Sequence, residues 1–212
     1  IISFSDDPDA RNNFGPYTSG FVTVPYNDIA ALNFALMNEN VVGFLVEPIQ
    51  GEAGVNTPDA NFIAEAAALC KERNVLLIAD EVQTGIARTG SLLAVCGDCS
   101  CGNTCERGAT YTKPDLLILG KALSGGVYPV SAVLADDPVM EVIKPGQHGS
   151  TVGGNPIAAE VAMAALEVVK EEGLAPHARA MGEHFRAEMN KIIGETTLVT
   201  KVRGKGLLNA II

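Results

Sequence analysis

Three apolar runs in this chain each stop at a polar residue. Val41-Val42-Gly43-Phe44-Leu45-Val46 runs into Glu47, Val75-Leu76-Leu77-Ile78-Ala79 into Asp80, and Leu116-Leu117-Ile118-Leu119-Gly120 into Lys121. Such short runs, rich in branched apolar residues and bounded by polar ones, suit the buried strands of an α/β sheet. Glu47 and Asp80 lie 33 residues apart, about the length of one strand–helix–strand unit. In open α/β sheets the ligand sits beyond the carboxyl ends of the strands. Two acids and a lysine are therefore expected together at one edge of a mostly parallel sheet.

The segments between the runs fit that reading. Thr57-Pro58-Asp59 opens a helix that carries Phe62, Ile63, Ala66, Leu69 and Cys70 on one face and ends near Arg73-Asn74. Earlier in the chain, Asn27 is placed to cap a short helix through about Leu36. Past Lys121, Ser131-Ala132-Val133-Leu134 suggests another strand. Asn155-Pro156 is a helix start, a capping side chain followed by proline at the first helical position. That helix runs towards Gly173, a second amphipathic helix covers 176–193, and 202–212 reads as the opening strand of something new. A boundary near 190–200 divides the chain into 1–195, part of a large domain, and 196–212, the start of a small C-terminal one.

Composition narrows the function. A hydrophobic content of 47% fills a core, and a net charge of −10 argues against nucleic acid or an anionic membrane as partner. No apolar run approaches the roughly 20 residues of a membrane-spanning helix. The chain begins at Ile1 without methionine and stops at Ile212 inside an apolar run, and it reads as a piece of a longer protein. An odd count of five cysteines and no secretory signal suggest an intracellular protein, the choice between cytoplasm and mitochondrial matrix staying open. Cys70 is expected to be a small buried hydrophobe.

Lys121, directly after a buried strand and before Ala122-Leu123-Ser124-Gly125-Gly126, is the sharpest single feature. A lysine in a partly desolvated pocket loses its charge more readily and can form a Schiff base with a carbonyl. Asp80 supplies a carboxylate suited to a protonated pyridine nitrogen, which makes that ring a better electron sink. Pyridoxal 5'-phosphate chemistry follows on these grounds. The plainer alternative, a helix-capping Asp80 and a solvated Lys121, stays open on the residues alone.

Five motifs in order resemble the class III aminotransferases. They are Val46-Glu47-Pro48-Ile49-Gln50-Gly51-Glu52, Leu77-Ile78-Ala79-Asp80-Glu81-Val82-Gln83-Thr84-Gly85 with Arg88-Thr89-Gly90, and Gly120-Lys121-Ala122-Leu123-Ser124-Gly125-Gly126. His148-Gly149-Ser150-Thr151-Val152-Gly153-Gly154-Asn155-Pro156 and Val202-Arg203-Gly204-Lys205-Gly206-Leu207-Leu208 complete the set. The resemblance implies a fold type I PLP-dependent transferase, an α/β fold with a mostly parallel central sheet and flanking helices. It implies that Lys121 holds pyridoxal phosphate and shuttles a proton, that Asp80 pairs with the ring nitrogen, and that Gln83 bonds the ring's phenolic oxygen. Ser150 and Thr151 would reach the phosphate of the cofactor in a neighbouring subunit, making a homodimer with shared active sites. Glu47 would shape the substrate pocket. Glu52 would neutralise a substrate-binding arginine in one half-reaction and release it in the other. That arginine is expected beyond Ile212, and the phosphate-binding glycine loop and ring-stacking aromatic upstream of Ile1.

Leu123-Ser124-Gly125-Gly126, Tyr128-Pro129-Val130-Ser131-Ala132 and Gly206-Leu207-Leu208-Asn209-Ala210-Ile211 resemble the ornithine branch of the family. Its reaction takes a small amino acid and a 2-oxo acid, moving the δ-amino group of ornithine to 2-oxoglutarate. An acetylornithine or other ω-amino acid donor is the alternative within the family. A non-catalytic scaffold acting through its cysteine loop is the alternative outside it. Val152 departs from the aromatic residue of many relatives. No metal is expected at His177 and His184, which read as surface residues of a helix. The loop holding Cys96, Cys99, Cys101 and Cys105 is longer than the family's usual connection, and zinc, disulfides and free thiols all remain open for it.

Overall fold

The computed structural model describes residues 2–5, 7–97, 112–193, 195 and 197–212. Its elements, in order, are α1 (Pro8–Arg11), α2 (Ile29–Ala35), β1 (Gly43–Val46), α3 (Phe62–Arg73), β2 (Leu76–Asp80), β3 (Leu116–Leu119), β4 (Ala132–Ala135), α4 (Asp137–Met140), α5 (Pro156–Glu171), α6 (Leu174–Ile193), β5 (Val202–Lys205) and β6 (Leu208–Ile211). Short 3₁₀ turns follow at Ala94–Cys96 and Lys121–Ser124. Cys99, Cys101 and Cys105 lie outside the described residues, and with them the question of the cysteine loop.

β1, β2 and β3 pair in parallel and β4 joins antiparallel, in the order β1-β2-β3-β4. The sheet is thus mostly parallel, as expected. The parallel β1–β2 pair needs a crossover, and α3 supplies it. Phe62, Ala66 and Cys70 of α3 pack with Leu32 and Leu36 onto Val46 and Leu77 to form one core. Burial pushes the Cys70 thiol up to about 11, which suits its role as a small hydrophobe. A second core joins Ile86, Leu119 and Leu123 to Ala162 and Val169 of α5.

Helix boundaries follow local chemistry. At α5 the Asn155 side chain accepts from the Ala158 N–H at 2.9 Å, with Pro156 at the first helical position. α3 ends on Asn74 in the left-handed region, where asparagine is tolerated. Two expectations needed correction at helix starts. Asp28, not Asn27, caps α2 by accepting from Ala31 N–H, because Asn27 is spent on Asp59, bonding both its backbone N–H and its carboxylate. With Asp59 held there, α3 begins at Phe62 rather than at Thr57-Pro58-Asp59. The stretch 202–212 is also two strands rather than one, turning back at Gly206. That hairpin docks on α6, where a Cβ on Gly182 would fall 1.8 Å from the Gly206 carbonyl oxygen.

Candidate active site

Because β1, β2 and β3 run in parallel, their carboxyl ends meet at one edge of the sheet. The register pairs Val46 with Ala79 and Asp80 with Ile118, so Glu47, Asp80 and Lys121 emerge side by side. Each is then fixed by its own turn. Asp80 Oδ1 accepts from the Val82 N–H at 3.0 Å, which folds the carboxylate over the turn it begins. Glu47 Oε2 accepts from the Gly51 N–H at 3.1 Å. Burial pushes the Glu47 carboxyl above its usual range and the Gly51 bond opposes this. Asp80 adds to the rise, Lys121 lowers it and Glu52 raises it further. Asp80, Lys121 and Glu52 therefore all stand close enough to act on the Glu47 carboxyl.

Lys121 sits at φ +40°, a left-handed conformation uncommon for a residue with a long side chain. Extended Gly120 leads into it, and the 3₁₀ turn then closes with Leu123 N–H on the Gly120 carbonyl and Ser124 Oγ on the Lys121 carbonyl. Strain of this kind, about 1–3 kcal/mol, persists where surrounding structure over-determines it, and functional sites collect it. The Lys121 side chain is 54% exposed, so the described residues alone do not supply the desolvated pocket expected for it. Its Nζ lies 3.9 Å from Glu52 Oε1, a loose and solvent-screened pair, since Glu52 is 90% exposed.

Glu52 and Gln83 complete the cluster. Gln83 Nε2 donates to Glu52 Oε1 at 3.0 Å. The Gln83 side chain lies across Gly51 so closely that a Cβ there would fall 1.4 Å from Gln83 Oε1, so any side chain at 51 would displace the Gln83 amide. The structure thus brings together Glu47, Glu52, Asp80, Gln83 and Lys121. It does not bring Ser150 and Thr151 to them. Both are exposed in the loop before α5, where Ser150 Oγ accepts from the Gly153 N–H at 3.1 Å. His177 and His184 are exposed on α6.

Sequence reasoning missed two residues that brace this edge. Glu81 is fully buried, and its carboxylate accepts from Thr84 Oγ1 at 2.6 Å and from the Ala94 and Val95 N–H groups at 2.9 and 2.8 Å. It ties the 84–95 segment to the end of β2. Burial nonetheless pushes its carboxyl upward, against those three bonds. The signal was present: consecutive acids at a strand end face opposite ways, so one of Asp80 and Glu81 must turn inward. Arg203, on β5, donates from Nε and Nη2 to the Gly54 carbonyl at 2.9 and 2.7 Å. No local pattern announces that contact.

Comparison with known proteins gives this arrangement a lineage. The rat protein named "Ornithine aminotransferase, mitochondrial" is 53% identical over 211 residues, covering 100% of this chain and 45% of that protein. A crystal structure of the ornithine aminotransferase from Toxoplasma gondii superposes with a TM-score of 0.90 at 47% identity, over 99% of this chain and 47% of that one. An acetylornithine aminotransferase structure from Elizabethkingia anophelis matches with a TM-score of 0.82 at 58% identity, over 99% and 48%. The chain therefore spans about half the length of the relatives it matches. The family described as Aminotransferase class-III matches residues 1–212, and with strand-end acids and lysine in one cluster, this chain belongs to the class III aminotransferases.

Proposed function

We propose that the protein containing this chain is a pyridoxal-phosphate aminotransferase that moves the δ-amino group of ornithine to 2-oxoglutarate, giving glutamate and glutamate-5-semialdehyde. The observation that carries the proposal is the meeting of Asp80, Gln83 and Lys121 at the carboxyl ends of parallel strands. The donor set fits the cofactor: a carboxylate, a neutral amide and a primary amine, beside Gly51, whose lack of a side chain leaves the Gln83 amide its place. When bound, pyridoxal phosphate supplies the electron sink that makes a C–H bond next to nitrogen acidic.

The chain's own groups do the rest. The Asp80 carboxylate would hold the pyridine nitrogen and favour its protonated form through a charge-assisted bond. Gln83, whose amide here donates to Glu52, would hydrogen-bond the phenolic oxygen. Lys121 would be the residue that holds the cofactor covalently, and its amine, at the same edge, would be the group that accepts and returns a proton. Glu47, with its carboxyl raised by burial, shapes the pocket wall beside Asp80. Glu52, exposed and loosely held, is free to exchange partners and neutralises a substrate-binding arginine in the amino-donor half-reaction. Ser150 and Thr151, exposed and turned to no residue of the cluster, serve the phosphate of a neighbouring subunit in a homodimer. Residues 1–195 belong to the large cofactor domain and 196–212 open the small one. An intracellular compartment, cytoplasm or mitochondrial matrix, is part of the same reading; the rat relative's name includes the word mitochondrial.

A second donor has specific support, the 58% identity to a protein named as an acetylornithine aminotransferase. The complete protein, supplied with pyridoxal phosphate and 2-oxoglutarate, separates the two when ornithine and N-acetylornithine are compared as donors. A higher kcat/KM for ornithine is expected. Preference for the acetylated donor would reassign the substrate, and absence of glutamate from every ω-amino donor would overturn the activity.

A further inference from the structure

The 51–55 turn carries Glu52 and is an unusual piece of backbone. Gly54 stands at φ +106° and Val55 at φ +55°, the latter a left-handed conformation that a β-branched residue rarely adopts. Inside the turn, Gly54 and Val55 N–H both donate to the Gly51 carbonyl, and Gln50 and Asn56 exchange backbone bonds at its neck. The Asn56 side chain takes the Ala53 carbonyl. The Gly54 carbonyl instead accepts from Nε and Nη2 of Arg203. A strained turn persists only when its surroundings over-determine it. Here the base is held by Glu47 on the Gly51 N–H, the side by Gln83 lying on Gly51, and the tip by Arg203.

Arg203 reaches the turn across 149 residues of chain. Its own position is set by the β5–β6 hairpin. Gly206 presses into the backbone of Thr89 and Gly90, the Leu207 N–H donates to the Arg88 carbonyl at 2.9 Å, and Arg186 bonds both the Gly206 carbonyl and Asn209 Oδ1. Hairpin, Arg88–Gly90 backbone and Glu52 turn therefore form one connected brace. We infer that Arg203 is a positioning residue that holds the 51–55 turn and, through it, sets where Glu52 stands between Lys121 and Gln83.

The functional consequence rests on the proposed transaminase reading, in which Glu52 acts in the amino-donor half-reaction. Loss of Arg203 frees the tip of the turn, so Glu52 spends less time in the cluster. The amino-donor half-reaction should weaken, while the oxo-acid half-reaction, in which Glu52 is released, should be spared. A residue with a merely structural role would slow both.

The test uses the complete protein and the Arg203→Ala and Arg203→Lys variants. Lysine keeps the charge and one donor, and covers the case in which the alanine variant does not fold. Hydrogen exchange of the 50–56 amides reads the turn directly and needs no activity. Exchange is expected to rise roughly tenfold in Arg203→Ala and less in Arg203→Lys. Single-turnover kcat/KM is expected to fall roughly tenfold with ornithine and to hold with 2-oxoglutarate. Adding Arg203→Ala to Glu52→Gln should cost nothing further, because Arg203 acts only through Glu52. Unchanged exchange, equal loss in both half-reactions, or additive losses would each overturn the proposal. If the unmodified protein moves no amino group from ornithine, the proposed function fails instead, and the exchange result alone decides whether Arg203 holds the turn.

Discussion

Glu81→Gln isolates the latch that anchors the end of β2. The side chain is fully buried and nearly isosteric with glutamine, so the change leaves almost no cavity. The carboxylate now serves three donors: Thr84 Oγ1, Ala94 N–H and Val95 N–H. Glutamine keeps one acceptor oxygen, and its NH₂ can donate to Thr84 once that hydroxyl rotates. The NH₂ then stands in the Oε2 place, and the buried Ala94 N–H is left facing a donor. An orphaned buried donor costs about 1–3 kcal/mol, and the surviving bond loses its charge assistance. Relief from burying a carboxylate, visible in its upward shift, gives part of that back. We expect a net loss of about 1–3 kcal/mol in urea unfolding of the complete protein without added cofactor, at unchanged m-value. Exchange should accelerate at Ala94 and Val95. A loss under about 0.5 kcal/mol with both amides still protected would refute the latch.

Three further outcomes follow from the site. Asp80→Asn keeps the shape and removes the charge on the ring nitrogen, so proton abstraction should slow by orders of magnitude, roughly several kcal/mol of barrier; near-normal single-turnover rates would show the carboxylate is not needed. Mixed dimers of Lys121→Ala and Thr151→Ala subunits contain one site with both lesions and one with neither, so activity should partly return; no recovery despite verified exchange would argue against shared sites. Burial raises the Glu47 carboxyl above 4.5, so just above that pH the folded chain binds more protons than the unfolded one and stability falls as pH rises through the window. Glu81, also raised by burial, adds a slope of the same sign, so Glu47→Gln should lessen the fall in a Tm series without abolishing it, and an unchanged slope would assign the effect elsewhere.

What the sequence made legible was what repeats locally. Apolar runs ending on Glu47, Asp80 and Lys121 announce parallel strands and their shared edge, and Asn155-Pro156 announces a helix, because these signals lie within a few residues of each other. Resemblance, rather than periodicity, pointed to Gln83 and Glu52, which the fold does join. Glu81 escaped notice because an acid beside Asp80 looks like more of the same edge, while strand geometry sends it inward. Arg203 escaped because its partner is a single carbonyl far along the chain, a contact made by tertiary packing alone. The Asn27 cap failed for a related reason: a distant residue, Asp59, competes for the same side chain.

The central claim is that the edge holding Asp80, Gln83 and Lys121 is the cofactor site and Lys121 its covalent anchor. Borohydride reduction of the complete protein loaded with pyridoxal phosphate, followed by peptide mapping, tests it most directly. The account predicts a single pyridoxyl-modified peptide carrying the label on Lys121, and none in the Lys121→Ala variant. Label on Lys113 or Lys144, or stoichiometric label surviving in Lys121→Ala, would contradict it.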